Sequence, residues 1–215
     1  MTDLQTGDLL LFVSDSSNWF FRPFTKMISW GTHSNYTHIA MVLRDPVFSD
    51  IPPLKGLYVW ESSWEGTPDP QDGKIKLGVQ ITPLQQILDA YKDKGHVFLR
   101  KLNRNLHHHC PSCGQSVDHL FTKKKLESIH NVVYDKPYDI VPKDWVEAFF
   151  KRDSEPQKTS RFWCAALVGY IYTQIGILKP ETDWSILTPN DFSLSGENLE
   201  FKSGNILDDS ITKIF

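Results

Sequence analysis

The sequence has no long apolar run, no basic leader and no large excess of charge of either sign. None of its hydrophobic runs reaches the roughly 20 residues that a membrane-spanning helix needs. The first eight residues contain no lysine or arginine, so we do not expect a secretory signal. With 23 basic and 26 acidic residues the formal net charge is −3, which predicts no general attraction to nucleic acid.

Cysteine is scarce as well. Three cysteines cannot all pair within one chain, and without a secretory signal this indicates a reducing compartment, so we expect a cytoplasmic location. The hydrophobic content of 40% and the charged content of 23% are ordinary for a globular protein. The sequence contains no internal repeat, and we expect a single α+β domain over residues 1–215.

Several short segments have the composition of β-strands. Within residues 37–43, Ile39 and its alternate neighbours form one face, and His38 shares the other face with Ala40 and Val42. Strands that follow each other this closely can pair antiparallel. The segments predicted as strands are residues 7–13, 37–43, 57–63, 78–82 and 96–102.

Helical patterns occupy much of the remaining sequence. We predict one helix over residues 84–91, with Thr82 as its cap and Pro83 at its first position, and another over residues 118–133. A third, strongly apolar helix follows residue 160, with Thr159 or Ser160 as its cap and Gly176 at its end.

Cys164 falls in or near the first turn of this third helix. Free backbone amides and the positive end of the helix dipole favour a thiolate there, which makes the sulfur a better nucleophile. The alternative is that Cys164 is a small apolar residue of the core.

His38 and Glu61 are the polar residues that stand out in the predicted strands. His38 begins its strand next to a polar loop, where a simple surface or hydrogen-bonded role is the alternative. Glu61 ends an apolar run. A carboxylate buried at that place needs a partner such as a protonated histidine, whereas a solvated strand end needs none.

Residues 107–113 combine three histidines with a Cys-x-x-Cys pair. This donor set predicts a structural zinc site formed by Cys110, Cys113, His108 and His109, with His119 and His130 as further ligands to choose from. The alternative is a polar loop that binds no metal. Residues 15–30 are rich in aromatic side chains, which predicts either core packing or contact with acyl chains and a membrane surface.

Six short motifs occur in a characteristic order. They are residues 7–10, 36–40, 59–62, 78–79, 136–139 and 162–165. This order resembles the circularly permuted branch of the NlpC-type papain-like superfamily, the YiiX-like proteins, and related poxvirus proteins look similar around the histidine and glutamate strands. The resemblance implies a permuted papain-like α+β fold, in which an antiparallel sheet or small barrel packs against helices that include the nucleophile helix. It covers roughly residues 6–192, with an insertion at about residues 103–116.

The resemblance also assigns roles at individual positions. Cys164 matches the nucleophile, His38 the base and Glu61 the residue that orients the histidine. The backbone amide of Cys164 is the expected oxyanion donor, and Tyr36 and Trp163 are further candidates for oxyanion or substrate contacts.

The combined reading is a thiol hydrolase or acyltransferase that acts on an amide or ester bond of a lipid, acyl-amide or peptide. Catalysis by such a triad needs no cofactor, so the zinc would be structural. We expect transient contact with a membrane surface and no nucleic-acid partner, and the oligomeric state is left open. Two alternatives are a catalytically silent lipid- or peptide-binding module on the same fold and a zinc-stabilised interaction protein.

Overall fold

The computed structural model describes residues 3–14, 36–104, 120–140, 159–196, 199–202 and 204–214. Within these ranges the chain forms eight strands, three α-helices and two short 3-10 helices. The strands are β1 (Leu9–Ser14), β2 (His38–Arg44), β3 (Leu57–Ser63), β4 (Gly78–Pro83), β5 (Gly95–Arg100), β6 (Leu102–Asn103), β7 (Ile206–Leu207) and β8 (Thr212–Lys213). The helices are α1 (Leu84–Tyr91), α2 (Lys123–Val133) and α3 (Cys164–Ile175), and the 3-10 helices are Trp184–Ile186 and Pro189–Phe192.

Six of the strands form one antiparallel sheet in the order β4-β3-β2-β1-β5-β8. The predicted α+β class and the predicted antiparallel sheet are therefore confirmed. Among the described strands β4 and β8 are the two ends of the sheet and do not pair, so these strands form an open sheet. The strand predicted over residues 96–102 is divided, because β6 leaves the sheet to pair with β7.

The sheet has an apolar core on each face. Ile39, Met41 and Leu43 of β2 pack towards α3, whereas Ala40 and Val42 pack towards α1. The alternation predicted for β2 is thus confirmed, and it follows from the two-residue period of a strand. His38 shares the α1 face of the sheet with Ala40.

Helix α3 supplies most of the core on its own face. Ten of its twelve residues are buried, which explains why its sequence is apolar on all sides. Its C-terminus is formed by Gly176, whose left-handed conformation (φ 91°) lets its amide bond back to the carbonyls of Tyr172 and Thr173, as predicted.

The other helices are close to the predictions. Helix α1 has the predicted bounds, and α2 begins at Lys123, behind a Thr122 cap, rather than at residue 118. The buried face of α2 contains Leu126, Ile129 and Val133. Thr188 and Asp191 form a capping box at the second 3-10 helix.

Candidate active site

His38 and Glu61 meet on the α1 face of the sheet. The register pairs Met41 with Trp60, so the start of β2 lies beside the end of β3, and the two side chains point to the same face. His38 Nε2 lies 2.8 Å from Glu61 Oε2, and Glu61 is fully buried. The predicted partnership of a buried carboxylate with a histidine is therefore confirmed.

The second oxygen of Glu61 is held by Thr82. Thr82 Oγ1 donates to Glu61 Oε1 at 2.5 Å, and both side chains are buried. The prediction that Thr82 caps α1 is wrong: the N-cap is Pro83, with no side-chain cap bond, because the threonine hydroxyl is used by the carboxylate of the neighbouring strand. Glu61 is thus fixed by a donor on each oxygen.

Cys164 is the first residue of α3. It is a free cysteine, 3% exposed, at the end of the helix where amide hydrogens lack intrahelical partners. The N-cap is Trp163, so the prediction of Thr159 or Ser160 as the cap is wrong. The helix begins later than expected because Phe162 is held in extended pairing, with its amide donating to the Pro137 carbonyl at 3.1 Å.

The pKa of the His38 imidazole is set by both Glu61 and Cys164. Burial by itself lowers the pKa of His38, but hydrogen bonds with the Cys164 and Glu61 side chains, together with the negative charges of both, raise it to about 10. Glu61 occupies Nε2, so Nδ1 is the ring nitrogen left for the thiol. This arrangement favours the protonated imidazole of His38.

The chain segment before Cys164 is anchored on two sides. Ser62 Oγ of β3 donates to the Phe162 carbonyl at 2.7 Å, and the Asp139 amide donates to the same carbonyl at 3.1 Å. The Asp139 carboxylate also accepts from Arg161 Nε at 3.0 Å. The Val79 amide of β4 donates to the Lys136 carbonyl, and the Tyr138 amide donates to the carbonyl of Leu77, the residue before β4. The motif at 136–139 therefore connects the sheet to the start of α3.

The two further candidates for oxyanion or substrate contacts have defined positions. Trp163 Nε1 donates to the Leu187 carbonyl at 2.9 Å, so this donor already has a partner. Tyr36 packs edge-on against Phe98 of β5, with ring centroids 5.7 Å apart. Burial raises the pKa of Tyr36 and the charge of Arg100 opposes this, so the phenol keeps its proton. The proposed contacts of both residues with substrate stay predictions.

Sequence reasoning missed four residues around the triad. Thr82 and Ser62 fix Glu61 and the Cys164 segment, as described above. Glu65 is a second carboxylate close to Glu61, and Tyr91 packs on Phe12, whose ring lies 5.2 Å from that of His38. Burial raises the pKa of Tyr91, and the charges of Glu65, Glu61 and Cys164 add to this effect. The alternation of Glu61, Ser63 and Glu65 in the sequence at the end of β3 is a signal that could have indicated the second carboxylate.

The predicted zinc ligands Cys110, Cys113, His108 and His109 lie outside the described residues, as do His119, nearly all of the proposed insertion and the aromatic stretch at 15–30. His130, a further candidate ligand, is buried, stacks on Phe48 and has its Nε2 2.6 Å from Gln71 Oε1. Within the described ranges no group of three or more His, Cys, Asp or Glu side chains is arranged to hold a metal ion.

A search for membrane-spanning segments finds none: among the described helices, not one is both long and apolar enough to cross a bilayer.

Comparison with known proteins adds a likeness at the level of the whole chain. No protein-family model matches the sequence, and no curated protein matches it. Among solved structures the chain is similar to the metalloprotein yiiX from Escherichia coli O157:H7, DUF1105, with 21% sequence identity and a TM-score of 0.45. The match covers 98% of this chain and 96% of that protein. Since a likeness of this size says nothing about chemistry, the function is argued from the site itself.

Proposed function

We propose that the protein is a thiol-dependent hydrolase or acyltransferase of the permuted NlpC-type papain-like kind, acting on an amide or ester bond. The observation that carries the proposal is the His38 imidazole, whose Nε2 lies 2.8 Å from Glu61 Oε2 and whose pKa is raised by the nearby Cys164 side chain. A nucleophile, a base and a group that orients the base are the three parts that covalent catalysis at a carbonyl needs.

The reaction would proceed in two stages. Cys164 Sγ attacks the carbonyl carbon while its proton resides on His38, and a tetrahedral oxyanion forms near the free amides at the start of α3. The bond to the leaving nitrogen or oxygen then breaks, the leaving group takes the proton from His38, and a thioester is left on Cys164. Water or another acceptor gives its proton to His38, attacks the thioester and releases the acid or the transferred product together with the free thiol.

The geometry favours this reading over a binding module with no catalysis. A core cysteine needs neither a histidine nor a carboxylate, and burying Glu61 with donors on both oxygens costs desolvation that an apolar residue would avoid. The substrate class proposed from the sequence, a lipid, acyl-amide or peptide, is carried forward unchanged. So are the absence of a catalytic cofactor, the structural zinc and the cytoplasmic location.

The first test measures the reactivity of the thiol. We expect iodoacetamide to alkylate Cys164 at about pH 6 at least about tenfold faster than a free thiol, because an ordinary cysteine has a pKa near 8.5. Peptide mapping separates Cys164 from Cys110 and Cys113, and glutathione in the same sample serves as the comparison thiol. His38→Asn should bring Cys164 down to the rate of glutathione. Equal rates in the wild-type protein would contradict the proposal.

The second test looks for turnover. Acyl-amide, ester and peptide probes are offered to the wild-type protein and to Cys164→Ala, and acyl-enzyme formation on Cys164 is followed by mass spectrometry. We expect a thioester on the wild-type protein alone. A reactive thiol that forms no thioester with any of the probes would favour the binding module instead.

A further inference from the structure

Glu65 is a second carboxylate beside the triad, and the mechanism above does not use it. It lies two residues beyond β3, where its Oε1 accepts from Ser63 Oγ at 2.6 Å. Ser63 Oγ in turn accepts from Gln80 Nε2 at 3.2 Å, and Gln80 is the cross-strand partner of Glu61. The Glu65 carboxylate is therefore held in a fixed position on the side of the strand pair that carries Glu61.

The Glu65 carboxylate differs from that of Glu61 in its ionic partners. Glu61 is matched by His38, whereas Glu65 forms no ion pair with any residue in the described part of the chain. The charged and titratable groups that act on it are Glu61, His38, Lys94 and, across from it on α1, Tyr91. Among these the nearest carboxylate repels it, and the Lys94 ammonium lies beyond ion-pair distance.

A positive charge placed next to Glu65 would therefore stabilise the ionised form of its carboxylate. Burial first, and then the charge of Glu61, raise the pKa of Glu65 to about 7, although Ser63, His38 and Lys94 act in the opposite direction. Ionising a half-buried carboxylate costs free energy when no cation is close to it. The ionised form becomes favourable when a ligand brings a cation.

We propose that Glu65 is a specificity-determining residue that binds an ammonium group of the substrate, so that the preferred amide or ester carries a positive charge close to the scissile bond. The inference rests on the proposed function, since it assumes that Cys164 acts on a carbonyl. Glu65 itself transfers no proton to the reacting atoms. Its role is to place the cationic end of the substrate, and hence the carbonyl, relative to Cys164 Sγ.

Charged thiol reagents test the potential at Cys164 without a known substrate. Methanethiosulfonates form a disulfide with Cys164 Sγ and release methanesulfinate, and they are available with a trimethylammonium-ethyl, a sulfonato-ethyl or a neutral methyl group. At about pH 8 we expect the ratio of the cationic to the anionic rate to fall about fivefold in Glu65→Gln, as one charge at a site-sized distance predicts. At about pH 5.5, where Glu65 is protonated, the variant and the wild-type protein should have the same ratio.

Glu200→Gln is the matched control. Glu200 is exposed and pairs with Lys179, which lies four residues beyond the C-terminal end of α3, whereas Cys164 begins that helix, which is about 18 Å long. Its replacement should leave the rate ratio unchanged. An unchanged ratio in Glu65→Gln at about pH 8, or an equal change in the control, would overturn the inference.

A competition experiment tests binding of the cation itself. At constant ionic strength, n-butylammonium should slow the reaction of Cys164 with the neutral reagent in the wild-type protein, whereas the uncharged 1-butanol should not. The protection should disappear in Glu65→Gln. Equal protection by the two compounds, or protection that survives in the variant, would show that Glu65 binds no cation.

The two proposals fail in distinguishable ways. If Cys164 of the wild-type protein reacts no faster than a free thiol with the neutral reagent at about pH 6, the activated thiol is lost and the proposed function fails. If that reaction is fast but Glu65→Gln changes neither the ratio of the cationic to the anionic rate nor the protection by n-butylammonium, the proposed function stands and the proposed cationic substrate class is wrong.

Discussion

At the scale of single residues, Glu61 depends on two donors from different strands, and Thr82 is the one that sequence reasoning misassigned. We expect Thr82→Val, which keeps the shape but removes the hydroxyl, to lower the free energy of unfolding by about 1–3 kcal/mol, because a buried carboxylate oxygen loses its partner. Alkylation of Cys164 at about pH 6 should slow as well, since Glu61 no longer holds His38 firmly. Thr82→Ser restores the donor and should restore both measurements. Normal alkylation in the valine variant would show that Thr82 does not position the triad.

The pKa of His38 gives a prediction for stability against pH. The folded-state pKa is about 10 and the ordinary value is 6.5, so His38 favours the folded state fully below about pH 6.5, and this contribution is lost as the pH rises towards 10. We expect urea unfolding of the wild-type protein to show a fall in stability over this range that His38→Asn largely lacks. Parallel curves for the two proteins would contradict the raised pKa.

Replacing Glu65 should raise the stability of the folded protein, whereas replacing His38 removes a stabilising contribution. Its pKa rises from 4.5 to about 7 in the folded protein, so the fold favours the protonated form and is destabilised by ionisation between these values. We therefore expect Glu65→Gln to be more stable than the wild-type protein by roughly 1–2 kcal/mol at about pH 8, after allowing for solvent screening, and nearly equal at about pH 4. Thermal unfolding at the two pH values measures this. A variant less stable at about pH 8 would assign Glu65 a structural role.

Of the two hydrogen-bond partners of Glu61, one could be predicted from the sequence and the other could not. The meeting of His38 and Glu61 could be predicted from strand alternation and from the cost of burying a carboxylate, both of which are local arguments. Thr82 could not, because a threonine before Pro83 has the pattern of a helix cap, and only the paired strand shows that its hydroxyl is bonded to Glu61.

At the scale of elements, the start of α3 is set by its neighbours and its end by its own sequence. Gly176 marks the end because a left-handed residue is needed there, and this could be predicted. The start depends on hydrogen bonds of Phe162 with Pro137, Asp139 and Ser62, which are distant in sequence. The predicted cap therefore lies three or four residues before the observed one.

Substitution of Gly78 tests whether the contact of β4 with residues 136–138 positions the start of α3. A Cβ at Gly78 would lie 2.2 Å from the Lys136 carbonyl oxygen, and its φ of 150° is also unfavourable for other residues. We expect Gly78→Ala to push residues 136–138 away from β4, to destabilise the protein by a few kcal/mol and to slow alkylation of Cys164.

Gly176→Ala is the control for this prediction. A Cβ at Gly176 meets no atom within 4 Å, so only the backbone strain of φ 91° remains, at about 1 kcal/mol. It lies at the far end of α3 from the thiol. Stability should therefore fall slightly while alkylation stays normal. If Gly78→Ala also left alkylation normal, residues 136–138 would not position Cys164.

At the scale of the whole molecule, the local pairings of the sheet could be predicted and its centre could not. Strands β2, β3 and β4 are consecutive in the chain and pair in sequence order, which is the usual outcome. Strand β1 lies between β2 and β5, although β5 comes much later in the chain. The pairing of β1 with β5 cannot be predicted from a local pattern, because the sequence of an apolar strand does not show which strand pairs with each of its two edges.

The chain order of the triad has a consequence for biosynthesis. A ribosome makes the strands that carry His38 and Glu61 well before it makes the helix that begins with Cys164. The nascent polypeptide can thus bring the proposed base and its carboxylate together before Cys164 has been made. If Cys164 is the nucleophile that we propose, its reactivity arises only at a late stage of translation, after five of the six strands of the main sheet have been synthesised.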